Sequence, residues 1–336
     1  MSTDAPVPAA GRALAAIGVA LCASLFFTLT YVINRAAADQ AMHWAWIASL
    51  RYLFTLPLML PLMPFQGGAK PVLRAIAAHP GAWLRSSLIG FGVFYLGLSY
   101  AAASGPSWLV AGTFQFTVIA GMLCAPFLYR DARRRIPRAG LAVAAVIFAG
   151  VLLMQFGHAS GALDRAGWIA LACLLAAAFA FPLGNRMLLL HLETTGETLN
   201  ATQRVFGMTL ASQPLWWLLA AYAWTTQGAP TVAQLWLGAA VALFAGVIAM
   251  VLFFQATGMV RSQPLALGGV EAMQASEVLF AVLLGVLLLG EDWPRGVALA
   301  GAGVVVLGIV GFAWVVARPA AGSVRATRVL RTDRGA

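Results

Sequence analysis

The side chains with the clearest chemistry are three polar residues, Glu271, Gln274 and Glu277, inside the apolar stretch Leu265–Leu289. A helix of that length rises about 1.5 Å per residue and so spans the roughly 30 Å hydrocarbon core of a bilayer. Glu277 stands near its centre, where burying a carboxylate costs about 2.5 to 3.5 kcal/mol. At about 100° per residue the three side chains form a stripe about 120° wide, which we expect to face protein or water rather than lipid.

Two roles are open for the acids of this stripe. Glu277 is either a proton-coupling or cation-binding carboxylate, which would bind protons and substrate in alternation, or a protonated structural residue that hydrogen-bonds a neighbouring helix. Glu271, about 9 Å from the start of the same helix, has the same proton-coupling role, or lies at the mouth, or pairs with Arg204 or Arg261. Gln274 stands between the two acids as the hydrogen-bond partner that holds both in place.

The composition is that of a polytopic membrane protein: of 336 residues, 61% are hydrophobic and 10% are charged, and the mean hydropathy is +0.86. The net charge of +10 does not indicate a nucleic-acid partner, because the basic residues fall in short connections and at the C-terminus. Cys22, Cys124 and Cys173 lie in apolar runs without metal-binding or disulfide spacing. We therefore expect them to pack, and we expect no metal and no cofactor.

Ten apolar runs are long enough to span a membrane, which predicts an all-α membrane protein with ten transmembrane helices. In chain order the runs are Ala13–Ile33, Trp44–Met63, Ser86–Ala103, Trp108–Leu128, Ala139–Phe156, Trp168–Leu190, Val205–Ala223, Leu235–Ala256, Leu265–Leu289 and Gly296–Val316. No stretch between them is long enough to form a soluble domain.

The distribution of Lys and Arg predicts the orientation of these helices. With a cytoplasmic N-terminus, cytoplasmic segments hold 17 basic residues, Arg186 and a solvated Arg204 among them, against 3 on the outer side, with Arg51 inside a span. Both termini are therefore predicted to be cytoplasmic, in a multi-pass protein of the inner membrane. We expect short tails at 1–12 and 318–336, the second of which is rich in Arg and lies against anionic membrane lipids.

The two halves of the chain, 13–156 and 167–317, share several polar and proline positions. The matched positions are Asn34-Arg35 with Asn185-Arg186, Arg51 with Arg204, Pro61 with Pro214, Pro106 with Pro264, and Pro137-Arg138 with Pro294-Arg295. Because each repeat holds five spans, an odd number, the second copy must be inverted relative to the first. Inverted five-helix repeats are typical of transporters, whose halves exchange inward-open and outward-open states; a duplication without transport is the alternative.

The first repeat supplies candidates for the other wall of a substrate cavity. The proline match places Thr113 and Gln115 of the fourth span across from the acidic stripe, and Trp108 and Tyr95 offer aromatic faces to apolar or cationic compounds. Arg51, seven residues into the second span, either snorkels to the outer interface, pairs with a carboxylate, or binds an anionic group of the substrate.

At four places the sequence resembles the drug/metabolite transporter superfamily. The ending EVLFAVLLGVLLLGEDWPRGVALAGAGVVVLGIV (Glu277–Val310) is similar to the superfamily's closing pattern. The segments HWAWIASLRYLF (His43–Phe54), GPSWLVAGTFQFTVIAG (Gly105–Gly121) and VEAMQASEVLF (Val270–Phe280) resemble its multidrug resistance efflux branch, which is EamA-like and EmrE-like. The resemblance covers nearly the whole chain except the tails, and it implies an efflux carrier of ten spans.

Two departures limit what the resemblance carries over. The small four-span multidrug exporters have their essential Glu in the first span, whereas Ala13–Ile33 has no acidic residue, so their mechanism does not transfer to that helix. Many superfamily members have Glu-Pro where this chain has Glu277-Val278, so a proline kink in the ninth helix is not implied.

The leading hypothesis is therefore a secondary exporter of small amphipathic, cationic compounds that is driven by proton exchange and works as a monomer of two fused halves. An exporter of a specific metabolite, such as an amino acid, is the alternative of the same class, and a non-transporting membrane scaffold is the alternative from another class. An enzyme is disfavoured, because the chain has no Ser-His pair, no H-E-x-x-H and no paired Asp at membrane depth. The absence of G-x-x-x-x-G-K-[ST] excludes an ATP-driven pump within this chain.

Overall fold

The computed structural model describes residues 9–39, 42–104, 107–156, 164–289 and 292–317, and within these ranges the chain is helical, without strands. In chain order the helices are α1 (Ala9–Asp39), α2 (Trp44–Met59), α3 (Lys70–Ala78), α4 (Pro80–Ser87), α5 (Phe94–Ser104), α6 (Ser107–Phe114), α7 (Thr117–Leu128), α8 (Arg138–Phe156), α9 (Arg165–Thr195), α10 (Ala201–Gln227), α11 (Val232–Val241), α12 (Met250–Met259), α13 (Pro264–Ala272), α14 (Ser276–Leu289) and α15 (Gly296–Ala317). Residues 1–8 and 318–336 of the predicted tails lie outside the described part.

All ten of the predicted apolar runs fall in helical segments, and eight helical stretches of the described chain are long and apolar enough to cross a membrane. The run Trp108–Leu128 is divided between α6 and α7 and contributes only a shorter apolar helix, Gly112–Leu128. The run Val205–Ala223 lies in α10, which is long but carries several polar side chains. The membrane class of the protein is thus confirmed, while the count of ten spans and the orientation stay predictions.

Five of the long helical stretches change their backbone geometry partway along: α2 continues as a 3₁₀ helix at Leu60–Gln66, and the other four form two pairs. Wider π-helical turns join α4 to α5 at Leu88–Val93 and α11 to α12 at Ala242–Ala249, in the third and eighth predicted spans. The other pair is formed by the fourth span, which is broken between α6 and α7, and the ninth, in which the 3₁₀ turn Met273–Ala275 separates α13 from α14. No proline lies at either break. Each member of these two pairs therefore recurs at a similar place in the other half of the chain, whereas the 3₁₀ segment after α2 has no counterpart in α10.

Helices of the two halves interleave. The first helix, α1, packs against α11, α12, α14 and α15 of the second half, whereas α9, the first helix of the second half, packs against α4, α5, α6 and α7. Helices that the sequence matches also pack on each other, namely α2 on α10 and α8 on α15. Two repeats related by an axis between them would give this arrangement.

The interior between the halves contains a cluster of four aromatic rings, one each from α1, α5, α9 and α12. The rings are those of Phe27, Phe94, Phe181 and Phe253, and their centroids lie 4.7–6.5 Å apart in the contacting pairs. Nearby, α9 approaches the π turn at Leu88–Val93 so closely that a Cβ on Gly184 would lie 2.3 Å from Cα of Gly90. Small residues of this kind let membrane helices pack at backbone distance.

Candidate functional site

The polar stripe of the ninth span is buried in protein, as the sequence predicts. The exposed fractions of Glu271, Gln274 and Glu277 are 0%, 3% and 4%. The stripe is not one continuous helical face, however, because the 3₁₀ turn Met273–Ala275 interrupts the helix at Gln274. The turn separates the two acids, with Glu271 near the end of α13 and Glu277 in the first turn of α14, where the helix dipole favours a negative charge.

Hydroxyl groups satisfy backbone carbonyls at this interruption, two of them from α1. Ser24 Oγ lies 3.0 Å from the carbonyl oxygen of Met273 and 3.1 Å from that of Ala20 in its own helix. Thr28 Oγ1 donates to the Ser24 carbonyl at 2.8 Å and lies 3.4 Å from the carbonyl oxygen of Glu277. The hydroxyl of Ser276 also donates to the Met273 carbonyl, at 2.6 Å. Ser24 and Thr28 are four residues apart in α1, and Met273 and Glu277 are four residues apart in the ninth span. One face of α1 therefore runs alongside the broken helix. The sequence interpretation missed these residues, although the spacing of Ser24 and Thr28 in an apolar run was a signal.

The break in the fourth span has the same local chemistry. The amide of Phe116 donates to the carbonyl of Thr113 at 2.9 Å, and Thr117 Oγ1 donates to the carbonyl of Phe114 at 2.7 Å. In both breaks a Gln is followed two residues later by Thr or Ser, whose hydroxyl donates to the carbonyl of the residue before the Gln. Gln115 is therefore the counterpart of Gln274, a relation that the pattern x-Gln-x-Ser/Thr could have revealed.

The two breaks lie close together, because the turn Met273–Ala275 packs against α7, which begins directly after the first break. Gln115 is 1% exposed. Three side-chain atoms of the two glutamines, Nε2 and Oε1 of Gln115 and Oε1 of Gln274, have no hydrogen-bond partner within the described chain. Buried amides of this kind can bind a polar group that enters between the halves. Thr113 is only partly buried, and the side chain of Trp108 lies outside the described residues.

Glu271 forms a two-point ion pair with Arg186 of α9. The guanidinium Nε and Nη2 lie 2.8 and 2.7 Å from the two carboxylate oxygens, and Arg186 is 2% exposed. The prediction that Arg186 lies in a cytoplasmic connection is therefore wrong, and the partner of Glu271 is neither Arg204 nor Arg261. The physical reason is the length of α9, which continues to Thr195, two turns beyond Arg186, and so keeps this residue within the bundle.

Gly121 of α7 makes room for this ion pair. A Cβ at Gly121 would lie within 1.9 Å of Glu271 Oε2, so any larger residue there would collide with the carboxylate. The carboxylate is thereby held between α7 and α9. No sequence pattern indicated that a glycine of one apolar run and an arginine of another would both contact Glu271.

Arg204 is also buried, at 4% exposure, so the prediction that it is solvated is wrong. Its Nη2 donates to the backbone carbonyl of Phe254 in α12, and the guanidinium packs on Gly258, where a Cβ would lie 2.6 Å from it. The capping box of Asn200 and Gln203 starts α10 four residues before Arg204, which brings this residue within the bundle rather than at its surface.

Arg51 lies inside the bundle, 2% exposed, and does not snorkel to an interface. Its guanidinium carbon is 4.2 Å from the centre of the Tyr95 ring, and Nη2 lies 3.5 Å from the carbonyl of Ala245 in the second π turn. Tyr95 is 1% exposed. Both residues therefore lie inside the bundle, and their place in a substrate cavity stays a prediction.

A cavity of about 540 Å³ opens at the end of the bundle that is predicted to be cytoplasmic. It is lined by Arg12, Glu193, Gly258, Met259, Arg261 and Ser262. Close to it Arg133 bonds both Glu193 and Asp131, and its hydrogen bonds hold the pKa of Asp131 below the ordinary value. Among the described residues there is no group of three or more His, Cys, Asp or Glu that could hold a metal ion.

Comparisons with known proteins agree with this picture of a helical membrane carrier. A family model described as EmrE, "Putative multidrug resistance efflux transporter", matches residues 14–318. "Uncharacterized protein YjlA" of Bacillus subtilis (strain 168) is 40% identical over 88% of this chain and 93% of its own. An uncharacterized 42.1 kDa protein of Shouchella clausii is 35% identical over 76% of this chain and 68% of its own. A solved structure described only as "Crystal structure of protein" has a TM-score of 0.63 at 14% identity, covers 88% of this chain and 96% of that chain, and shows the fold alone.

Proposed function

The chain belongs to the EmrE-like efflux transporter family, and from that premise we propose that it is a secondary transporter that exports small amphipathic compounds with a cationic group in exchange for protons. It is thus an integral multi-pass membrane protein. The proposal includes a cationic substrate, proton coupling at Glu277 and an inverted-repeat mechanism. It also places the protein in the inner membrane, where it works as a monomer.

The observation that carries the proposal is the burial of Glu277 at a helix interruption. The residue is 4% exposed and lies in the first turn of α14. The break directly before it, Met273–Ala275, packs against α7, which begins after the break in the fourth span. Discontinuous helices at the interface of two repeats are where secondary transporters place substrate and coupling-ion sites. A carboxylate in such a place is kept despite its cost, which favours a functional role.

In the proposed mechanism, the Glu277 carboxylate binds either a proton or a cationic group, but not both at once. A proton and a cationic group compete for Glu277, so binding of one requires release of the other, and the two flows become coupled. Movement of the interleaved halves would expose the site alternately to the two sides of the membrane. Glu271 has a less direct role in this proposal, because its two-point ion pair with Arg186 ties it to α9.

Transport in proteoliposomes under an imposed pH gradient tests the proposal, with cationic dyes and amino acids as probes. We expect wild-type protein to move a cationic dye in the direction opposite to proton flow. Glu277→Gln should reduce this flux to background while the protein still reaches the membrane. Asp292→Asn, which removes an exposed carboxylate, is the matched control and should retain full flux. Undiminished pH-driven flux in Glu277→Gln would remove this residue from the mechanism.

A second candidate function is the export of a specific metabolite such as an amino acid, which the interior position of Arg51 favours. An interior guanidinium can bind the anionic group of such a substrate. A non-transporting scaffold, in contrast, predicts that Glu277→Gln alters stability alone.

A further inference from the structure

Arg204 is a buried cation whose guanidinium keeps two nitrogen donors without a partner. Its Nη2 donates to the Phe254 carbonyl, but Nε and Nη1 have no hydrogen-bond partner among the residues that the structure describes. The charged side chain that acts on Arg204 is a second cation, Arg261, and the described salt bridges pair carboxylates with Arg133 and Arg186 instead. Because an unpaired charge is costly to bury, this place in the fold suits an anion that comes from outside the chain.

The end cavity of about 540 Å³ lies next to this charge. Gly258 contributes to the wall of the cavity and also contacts the guanidinium, since a Cβ on Gly258 would lie 2.6 Å from Arg204 Nη2. The absence of a side chain at Gly258 lets the guanidinium approach the wall closely. Arg261 lines the same cavity, so the two cations belong to one region. The volume lies within the range of small-molecule pockets.

The side chains that line the cavity leave it positively charged. Arg12 of α1 and Arg261, which follows α12, are both exposed there, and Ser262 adds a hydroxyl. Glu193 is the carboxylate among the described lining residues, and it already lies 2.7 Å from Arg133 Nη1. A cationic compound would be repelled by these arginines, so we expect the cavity to serve a ligand other than the exported substrate.

We propose that Arg12, Arg204 and Arg261 form a binding site for a phosphate group, which belongs either to the headgroup of an anionic membrane lipid or to a soluble phosphate compound. Several guanidinium groups around one cavity match the several charged oxygens of a phosphate, which arginine binds through parallel hydrogen bonds. Basic pockets between helices at the cytoplasmic side of membrane proteins bind anionic headgroups, and this cavity opens at the end predicted to be cytoplasmic. The inference goes beyond the proposed function and does not depend on it.

Thermal melting of the full-length protein in a neutral detergent tests the site, because a ligand that binds the folded state raises the melting temperature. The probes are dioctanoylphosphatidylglycerol, glycerol phosphate and inorganic phosphate, each titrated at constant ionic strength, with zwitterionic dioctanoylphosphatidylcholine as the control. We expect at least one anionic probe to raise the melting temperature saturably and phosphatidylcholine to leave it unchanged. A response to phosphatidylglycerol alone identifies a lipid as the source of the phosphate group, whereas a response to glycerol phosphate or inorganic phosphate identifies a soluble compound.

Variants of single arginines decide whether the response belongs to this cavity. Arg204→Gln and Arg261→Gln should each raise the apparent dissociation constant of the active probe roughly tenfold, the effect of losing one charge-assisted hydrogen bond. Arg261 is exposed, so its variant remains measurable even if Arg204→Gln folds poorly. Arg134→Gln is the matched control, since it removes an exposed arginine at the same predicted end that is not among the described lining residues, and it should bind like the wild type.

Three results would overturn the phosphate site. The first is a melting temperature that no anionic probe changes, and the second is a dissociation constant that stays at the wild-type value in both Arg204→Gln and Arg261→Gln. The third is an equal loss of affinity in Arg134→Gln, because the basic surface as a whole would then bind the phosphate. None of these results bears on proton-coupled transport, which the dye flux of Glu277→Gln tests separately.

Discussion

Arg186 and Glu271 join α9 to α13 through two parallel hydrogen bonds of 2.8 and 2.7 Å inside the helix bundle. Neither side chain is more than 2% exposed. Arg186 lies about 10 Å along α9 from Glu193, which lines the end cavity, since the two residues are seven positions apart in this helix. The pair therefore fixes two helices of the second half, α9 and α13, to each other inside the bundle.

Removing one partner of this pair should be strongly destabilising, because it leaves the other charge buried and unpaired. We expect Arg186→Gln and Glu271→Gln each to lower the free energy of unfolding by about 3 to 5 kcal/mol. The double variant should recover part of this loss. Thermal melting of the detergent-solubilised protein measures the effect.

Arg133→Gln is the control for that experiment, because it removes two ion pairs with exposed carboxylates, those of Glu193 and Asp131, each of which should cost no more than about 1 kcal/mol. Equal melting temperatures for Arg186→Gln and Arg133→Gln would contradict the structural importance of the buried pair.

Gly121→Ala should damage the same ion pair from the side of α7. The added methyl group would lie 1.9 Å from Glu271 Oε2, so the carboxylate must move and weaken its bonds to Arg186. We expect a lower melting temperature, in the direction of Glu271→Gln. Gly303→Ala on α15 is the matched change, since nothing lies within 4 Å of its added Cβ. If both variants melt alike, the close approach at Gly121 does not constrain the ion pair.

Ser24→Ala and Thr28→Val should loosen the break beside Glu277, because each removes a hydroxyl that contacts a carbonyl of the ninth span. Each should cost about 1 kcal/mol of stability and lower pH-driven dye efflux, since Glu277 loses its fixed position. Thr30→Val is the control on the same helix, because the Thr30 hydroxyl has no partner among the described residues. An efflux rate for Thr30→Val as low as that for Thr28→Val would argue against this role of α1.

The predicted orientation can be checked with single cysteines in a variant from which Cys22, Cys124 and Cys173 have been removed. Arg134 and Asp292 are exposed residues in connections that the charge distribution places on opposite sides of the membrane. A membrane-impermeant thiol reagent added outside intact cells should label Asp292→Cys and not Arg134→Cys. The reverse labelling pattern would show that the protein has the opposite orientation in the membrane.

The sequence by itself determined the class of the protein and the burial of its acids. Apolar runs of membrane length must be helical, because lipid offers no partner for backbone polar groups, and a stripe with Glu271 and Glu277 must turn away from lipid. The match between Gln115 and the acidic stripe was also within reach, because repeated sequence places equivalent residues at equivalent depths.

Only the tertiary structure decided which residues meet across helices. The sequence predicted that Arg186 and Arg204 lie at the cytoplasmic surface, because they stand near the ends of apolar runs. In the structure α9 extends beyond its apolar run, and both residues are buried. Their partners, Glu271 and the Phe254 carbonyl, lie 85 and 50 residues further along the chain. Hydropathy fixes the depth of a residue, but the rotation of each helix and its neighbours depend on how all the side chains pack, so no local pattern could identify these contacts.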